Sequence, residues 1–133
     1  MKLRVKKLKE DAKLPTKGHP GDAGIDFYSS EDVIFPPKEA RDVFSGVAIE
    51  IPEGFVGLVW DKSSIAFKKG LKTMGGVIDA GYRGEMLFHL FNTTDQEVEI
   101  KKGDKIAQLI IQKFEDCDIV ESGELSDTIR GEK

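Results

Sequence analysis

Apolar and polar residues alternate over short stretches of this chain, and glycines or prolines separate the stretches. Residues 47–55 and 97–104 alternate in the way that half-buried strands do. The runs 55–60, 86–91 and 105–114 are more densely apolar, which predicts strands buried on both faces. Many short strands at this spacing predict one all-β domain over residues 1–133, built as a sandwich, barrel or jelly roll.

One segment, residues 63–70, departs from the strand pattern and predicts a short helix. Ser63 and Ser64 are candidate N-caps, lysines occupy the last turn, and Gly70 is a stop signal. The N-terminus of such a helix would present hydroxyl and backbone N–H groups, which suits an anion. A capped surface helix with nothing bound explains the same residues, since capping serines are common.

Composition narrows the classes of function. The net charge of −4 and a pI near 5.3 give little support to a nucleic-acid or anionic-membrane partner. The pair Lys68–Lys69 still suits a small polyanion. The single cysteine, Cys117, excludes an internal disulfide and a cysteine-based zinc site. The first fifteen residues contain no continuous apolar stretch, so we expect neither a signal peptide nor a membrane span, and a cytoplasmic location.

Asp79 is the most informative acidic residue, because it lies between an apolar pair and a glycine turn at 79–81. It is either a turn former or a general base, since a carboxylate near apolar groups keeps enough basicity to take a proton from water. Tyr82 either fills core space or offers a flat surface to a ring-shaped ligand. Arg83 is either a solvated charge or an ion-pair partner.

Three further polar residues interrupt apolar surroundings. Asp26 lies in what the pattern predicts as the first strand, where a structural role is favoured. Gln108 interrupts an apolar run, and its amide must be satisfied by internal backbone or by a ligand. His89 is predicted to be a packed core or interface histidine, and with His19 it gives no metal-ligand spacing.

Four segments occur in a characteristic order: AGIDFYS at 23–29, DKSSIA at 61–66, GGVIDAGYRGE at 75–85 and KGDKIAQLII at 102–111. Their order and intervals resemble those of the trimeric dUTP diphosphatase (dUTPase) family, which is related to the dCTP deaminases. The similarity covers most of the chain, and the third and fourth segments are the specific ones.

The resemblance implies a distorted β jelly roll that forms a homotrimer, with active sites between subunits. It also implies hydrolysis of dUTP to dUMP and pyrophosphate, with Mg²⁺ bound mainly by the triphosphate. Such a reaction limits uracil incorporation into DNA and supplies dUMP for thymidylate synthesis.

The resemblance further implies roles for individual residues. Asp79 matches the aspartate that activates the attacking water, and Tyr82 the tyrosine that packs against deoxyribose. Gly76, Val77 and Ile78 match the hairpin that holds uracil through its backbone.

The remaining motifs match residues around the phosphates. Lys62, Ser63 and Ser64 match the phosphate-contacting second motif. Gln108 matches the phosphate-side glutamine of the fourth motif, and Asp26 the structural aspartate of the first.

The chain departs from the family pattern at several positions. Lys62 stands where arginine is usual and gives a point charge instead of a bidentate fork. Asp61 stands where proline is frequent, and Thr73 occupies a substrate-binding position that is often asparagine. Arg130 resembles the start of the phosphate-covering lid motif. We expect that the lid is truncated after Lys133 or not included, and that turnover without it is weak.

Two other functions fit part of the pattern. A dCTP deaminase, alone or combined with dUTP hydrolysis, would need a glutamate on the strand after the third motif, and His89 aligns with that position. A non-enzymatic dUTPase-like module that binds nucleotide or a protein partner would fit the missing lid and Lys62, but it would have little use for Asp79.

Overall fold

Residues 1–132 are described by a computed structural model. Within them, ten strands and one helix follow the predicted spacing of short elements. In chain order these are β1 Arg4–Lys7, β2 Ile25–Tyr28, β3 Val33–Phe35, β4 Ala40–Glu50, β5 Phe55–Trp60, α1 Ser63–Lys69, β6 Leu71–Thr73, β7 Val77–Ile78, β8 Glu85–Asn92, β9 Val98–Ile100 and β10 Lys105–Lys113.

The strands form two four-stranded antiparallel sheets and a two-stranded ribbon. The first sheet has the order β1-β4-β8-β6, the second β2-β10-β5-β7, and β3 pairs with β9. Phe27 of β2 and Phe88 of β8 bring the two sheets together, with their ring centroids 5.3 Å apart. The all-β jelly-roll class with one short helix is therefore confirmed.

The sequence predicts that β8 is buried on both faces, and this prediction is wrong for the single chain. Met86, Phe88 and Leu90 are buried, whereas Leu87 and His89 between them are exposed. The reason is the pleat: β8 lies between β4 and β6, and only one side of that sheet faces the core. His89 is predicted to pack in the core or at an interface, and the core alternative is wrong for the same reason.

Residues 97–100 alternate as predicted, whereas three other strand predictions are corrected. β5 is mostly half-buried and ends in the exposed Trp60, because only one of its faces meets the core. The segment 47–49 is wholly buried instead of alternating, where the pairing of β4 with β8 shifts register between Phe44 and Ala48. In β10, Ile106, Ala107 and Leu109 are buried, and its C-terminal residues are exposed.

The helix matches its prediction at the C-terminal end and differs at the N-terminal end. Gly70 has a left-handed φ of 69° and its N–H bonds to the Ala66 carbonyl, as a glycine C-cap does. The N-cap is Lys62, without a side-chain cap. The predicted serine caps are wrong, because the Lys62 carbonyl already accepts the first helical hydrogen bonds and Ser63 and Ser64 lie in the first turn.

Gly57 positions the short strand that carries the third motif. It pairs with Ile78 of β7, and a Cβ at Gly57 would lie 2.8 Å from Ile51 Cδ1 and 3.3 Å from Ile78 Cβ. A side chain at position 57 would crowd both Ile51 and β7, so glycine favours the close approach of β7 to β5, and Asp79 follows directly after β7.

The basic residues near the start form β1, which pairs with β4, so Asp26 lies on the second strand and not, as predicted, on the first. Residues 1–132 include no helix that is both long enough and apolar enough to cross a membrane.

Candidate active site

The turn after β7 and the start of β8 enclose a cleft of about 260 Å³. Its lining combines the exposed carboxylate of Asp79 with Tyr82, Glu85 and apolar side chains. The Asp79 carbonyl accepts a hydrogen bond from the Tyr82 N–H at 3.1 Å. The backbone of Asp79 thus forms the turn, while its carboxylate is exposed in the cleft, so the two interpretations of this residue are compatible.

Tyr82 and Arg83 continue the turn with different roles. Tyr82 is 42% exposed, which rules out the core-filling interpretation, and its hydroxyl donates to the Glu85 carbonyl at 2.8 Å. Arg83 Nε lies 3.6 Å from Glu50 Oε1, and Nη1 donates to the Ala80 carbonyl. Arg83 is therefore a structural ion-pair partner that supports the turn.

The two glycines before β7 leave open space beside the backbone. A Cβ at either Gly75 or Gly76 would meet no atom within 4 Å. The Gly76 carbonyl accepts a hydrogen bond from the Val59 N–H at 3.0 Å, which holds the hairpin against β5. Val77 beside it is 66% exposed. A flat ligand can therefore approach this backbone closely.

Asp26, on β2 in the first motif, is a buried acidic residue. Only 1% of the residue is exposed, and its carboxylate oxygens lie 3.0 Å from Lys62 Nζ and 3.4 Å from Lys105 Nζ. Among the described residues neither oxygen has a directed hydrogen bond. The two ammonium groups therefore balance the charge of Asp26, and they link β2 to the start of α1 and to β10.

Gln108 lies in the middle of the second sheet, paired with Asp26 of β2 on one side and with Trp60 of β5 on the other. Its Nε2 donates to the Asp61 carbonyl at 2.8 Å, so internal backbone satisfies the amide N–H. A Cβ at Gly24 would lie 2.0 Å from Gln108 Oε1. The glycine of the first motif therefore leaves room for this side chain.

Asp61 and Thr73 form a second polar cluster. The Thr73 N–H and hydroxyl both donate to Asp61 Oδ1 at 2.8 Å, and Lys72 Nζ lies 2.8 Å from Oδ2. Burial raises the pKa of Asp61, but Lys72 and the two Thr73 donors outweigh it and leave the pKa below 3.8. Because folding lowers this pKa, Asp61 stabilises the fold above pH 3.8, and that contribution is lost as pH falls through the lowered value.

The structure brings the predicted site residues into two groups. Asp26, Lys62 and Gln108 gather around the start of α1, where Ser63 and Ser64 form the first turn. Asp79 and Tyr82, with Val77 and Ile78, line the cleft. Among residues 1–132, none of the residues that line this cleft belongs to α1.

Three predicted site residues belong to neither group: Gly76, Thr73 and Arg130. Thr73 is buried and its hydroxyl donates to Asp61. Arg130 is exposed in the C-terminal segment. The predicted truncation point, Lys133, is outside the described residues.

Sequence patterns miss Lys105 and Lys72 as partners of Asp26 and Asp61. Both lysines are separated from their partners along the chain, and lysines are abundant here. Only the buried position of Asp26 in an apolar strand signals that some cation must approach it. His89 pairs with Asp42, and His19 lies 3.4 Å from Asp22; both histidines are exposed.

The two packed antiparallel sheets and the single short helix place this chain among the small all-β domains of jelly-roll type. A protein-family model described as dUTPase matches residues 10–133. The chain therefore belongs to the dUTPase family.

The sequences of individual relatives align with nearly the whole of this chain. The deoxyuridine 5'-triphosphate nucleotidohydrolase of Paramecium bursaria Chlorella virus 1 is 44% identical over 97% of this chain and 92% of its own length. The enzyme of the same name from Hydrogenobaculum sp. (strain Y04AAS1) is also 44% identical, over 98% of this chain and 92% of its own length.

Solved structures of phage enzymes share the fold. The Staphylococcus bacteriophage 80alpha dUTPase with dUPNHPP superposes with a TM-score of 0.93 at 32% identity, over 99% of this chain and 95% of that chain. A D95N mutant dUTPase from phage phi11 of S. aureus, described with a structural Mg(II) ion, superposes with a TM-score of 0.87 at 30% identity. This superposition covers 93% of this chain and 98% of that chain.

The charge balance at Asp26 predicts a specific pattern of stability. Replacing both Lys62 and Lys105 by methionine leaves a buried carboxylate without a cation, and we expect the free energy of unfolding to fall by about 3–5 kcal/mol. Adding Asp26→Asn to that double variant removes the charge and should recover most of the loss. Urea denaturation at one fixed protein concentration measures both effects. A triple variant as unstable as the double variant would contradict the charge balance.

Proposed function

We propose that this protein hydrolyses dUTP to dUMP and pyrophosphate, with Asp79 as the general base. The observation that carries the proposal is the exposed Asp79 carboxylate, which follows an open glycine hairpin in a chain of the dUTPase family. A binding module would have no need for a free carboxylate at this place. A base that activates water does need one.

The reaction is a displacement at the α-phosphorus. Asp79 orients a water and takes one of its protons as the oxygen attacks. The bond from the α-phosphorus to the bridging oxygen breaks, and pyrophosphate leaves with the electron pair. Displacement at phosphorus depends mostly on positioning and charge neutralisation, and Lys62, Ser63, Ser64 and Gln108 are the groups we assign to the phosphates, with Arg130 from the C-terminal segment.

The hairpin is the proposed site for the base. The open space beside Gly76 and the exposed Val77 support close approach of a flat ring to the backbone, with Ile78 behind it. Tyr82, half-exposed in the same cleft, is the surface we assign to deoxyribose. Thr73 contributes indirectly, because its N–H and hydroxyl are already bonded to Asp61.

Mg²⁺ is proposed to enter with the nucleotide, bound by triphosphate oxygens. The residues present fit this arrangement, because the Asp26 carboxylate already pairs with Lys62 and Lys105. Mg²⁺ commonly uses substrate phosphates and water as ligands. The ion would neutralise phosphate charge, while Lys62 and the serines orient the chain of phosphates.

The complete site is proposed to form between subunits of a homotrimer. The cleft that holds Asp79 and the α1 segment are distinct groups in one chain, which supports a site completed by another copy. Exposed apolar residues support an interface as well; in the single chain these include Leu87, Ile119, Val120 and Leu125.

The trimer has a direct test in sedimentation velocity. We expect one main species with three times the 14.7-kDa mass of the chain, because the exposed apolar surface is buried by association. The concentration series should extend to the level used in the activity assay. A species of single-chain mass at that concentration would contradict the proposed assembly.

The function is tested by pyrophosphate release from dUTP, with UTP, dTTP and dCTP alongside. We expect activity on dUTP, and Asp79→Asn should lower kcat by on the order of 10²–10⁴-fold, the usual contribution of a general base. Asp95→Asn is the matched control, because Asp95 is 92% exposed in a pair with Lys38; it should keep full activity.

Two outcomes would overturn the assignment. Catalysis that survives Asp79→Asn would exclude Asp79 as the base. Ammonia released from dCTP would favour the deaminase alternative, although His89 and not a glutamate occupies the aligned position on β8.

A further inference from the structure

His89 and Asp42 form a hydrogen-bonded pair on the exposed side of the first sheet. They lie directly opposite each other on β8 and β4, and His89 Nδ1 bonds to Asp42 Oδ1. An ionised carboxylate only accepts hydrogen bonds, so Nδ1 carries a hydrogen and donates it. Asp42 therefore fixes which edge of the imidazole ring faces β4.

The other edge of the ring faces the start of the hairpin. β8 lies between β4 and β6, so Nε2, on the ring edge away from Asp42, is directed toward the β6 side. There the His89 carbonyl accepts the Met74 N–H at 2.7 Å. The His89 side chain is 46% exposed, and within residues 1–132 its ring bonds to Asp42 alone. Nε2 is therefore available to a ligand on the hairpin side.

A cavity of about 180 Å³ lies at this place, and we call it the base cavity. His89 lines it together with the two glycines of the hairpin. Ile78 and Leu87 line both the base cavity and the cleft that holds Asp79, so the two spaces adjoin. A nucleotide with its sugar against Tyr82 in the cleft can therefore extend its base past Leu87 toward His89.

The part of the base that enters first is the part that distinguishes uracil from cytosine. The sugar is attached at N1 of the ring, and position 4 is directly opposite. Uracil carries the acceptor O4 there, as thymine does, whereas cytosine carries the donor N4 amino group. A donor at the inner end of the base cavity therefore favours uracil, and an acceptor favours cytosine. His89 Nε2 is a donor when the ring is protonated and an acceptor when it is neutral.

The charged groups that face this ring come from the two neighbouring strands. β4 contributes Asp42, and β6 contributes Lys72 on the same side of the sheet. Lys72 Nζ lies 2.8 Å from Asp61 Oδ2. Burial raises the pKa of Asp61, but Lys72 and Thr73 outweigh it and leave the pKa below 3.8, so this pair keeps both charges above that pH. Among residues 1–132, β5 and the hairpin line the base cavity with apolar residues and glycine.

We propose that His89 is a specificity-determining residue for the base, and that Nε2 of its protonated ring donates a hydrogen bond to uracil O4 and disfavours cytosine. This rests on the proposed function, which assigns the base to the hairpin and the sugar to Tyr82. When the ring loses its proton, Nε2 becomes an acceptor and the preference for uracil decreases. Asp42 is the positioning residue that holds the ring in this orientation.

The test compares the binding of dUMP and dCMP to the full chain by NMR titration over a range of pH. Both nucleotides carry the same sugar and phosphate, so the ratio of their dissociation constants isolates the effect of the base. The ring-proton signals of His89 report its charge in the same samples. In the wild type we expect the preference for dUMP to fall by about tenfold as the ring loses its proton, the scale of one hydrogen bond from a charged donor. His89→Gln has no charge to lose and should give a ratio that is independent of pH.

His19→Gln is the matched control, because His19 lies 3.4 Å from Asp22 in a second exposed histidine–aspartate pair. It should keep the pH dependence of the wild type. Asp42→Ala leaves the His89 ring in place without its partner, and it should reduce the change in the ratio; this variant decides the question if His89→Gln does not fold.

Three results would overturn the proposal: a wild-type ratio that stays constant while the His89 signals shift, a ring that keeps one charge throughout, or a pH dependence that persists in His89→Gln. Failure of the wild type to hydrolyse dUTP overturns the proposed function. Hydrolysis of dUTP with a ratio that is independent of pH overturns only the role of His89.

Discussion

The buried carboxylate of Asp26 is the constraint on which the arrangement of the motifs depends. An ion removed from water costs several kcal/mol unless opposite charge is brought to it, and Asp26 is only 1% exposed. Lys62 and Lys105 come from segments distant in the chain and meet at this carboxylate. One charge requirement therefore brings together β2, the start of α1 and β10, and with them three of the four motifs.

The third motif is held by contacts of a different kind. Gly57 allows β7 to lie close to β5, and the turn that follows leaves the Asp79 carboxylate exposed while its carbonyl accepts a hydrogen bond. Packing therefore positions the hairpin, whereas charge positions the start of α1. The Asp61 carboxylate accepts a hydrogen bond from the Thr73 N–H and its carbonyl accepts one from Gln108, so Asp61 connects the start of α1 to β6 and to β10.

Local chemistry made several features predictable from the sequence. The helix stop at Gly70 and the turn at Asp79 follow from residues adjacent in the chain, and the order of the motifs indicated the family. The sequence did not show that only one face of β8 is buried. Leu87 and His89 fit a strand buried on one face and a strand buried on both faces equally well, and only the order of the strands in the sheet distinguishes the two. The partners Lys105 and Lys72 were unpredictable for the same reason: an ion pair between distant residues leaves no local pattern.

The central claim is that this site directs water to the α-phosphorus of dUTP. Hydrolysis in ¹⁸O-labelled water, with both products analysed by mass spectrometry, tests it most directly, because the label marks the phosphorus that was attacked. The account predicts that the label enters the phosphate of dUMP and that pyrophosphate is unlabelled. Label in pyrophosphate would mean attack at the β-phosphorus and would contradict the account.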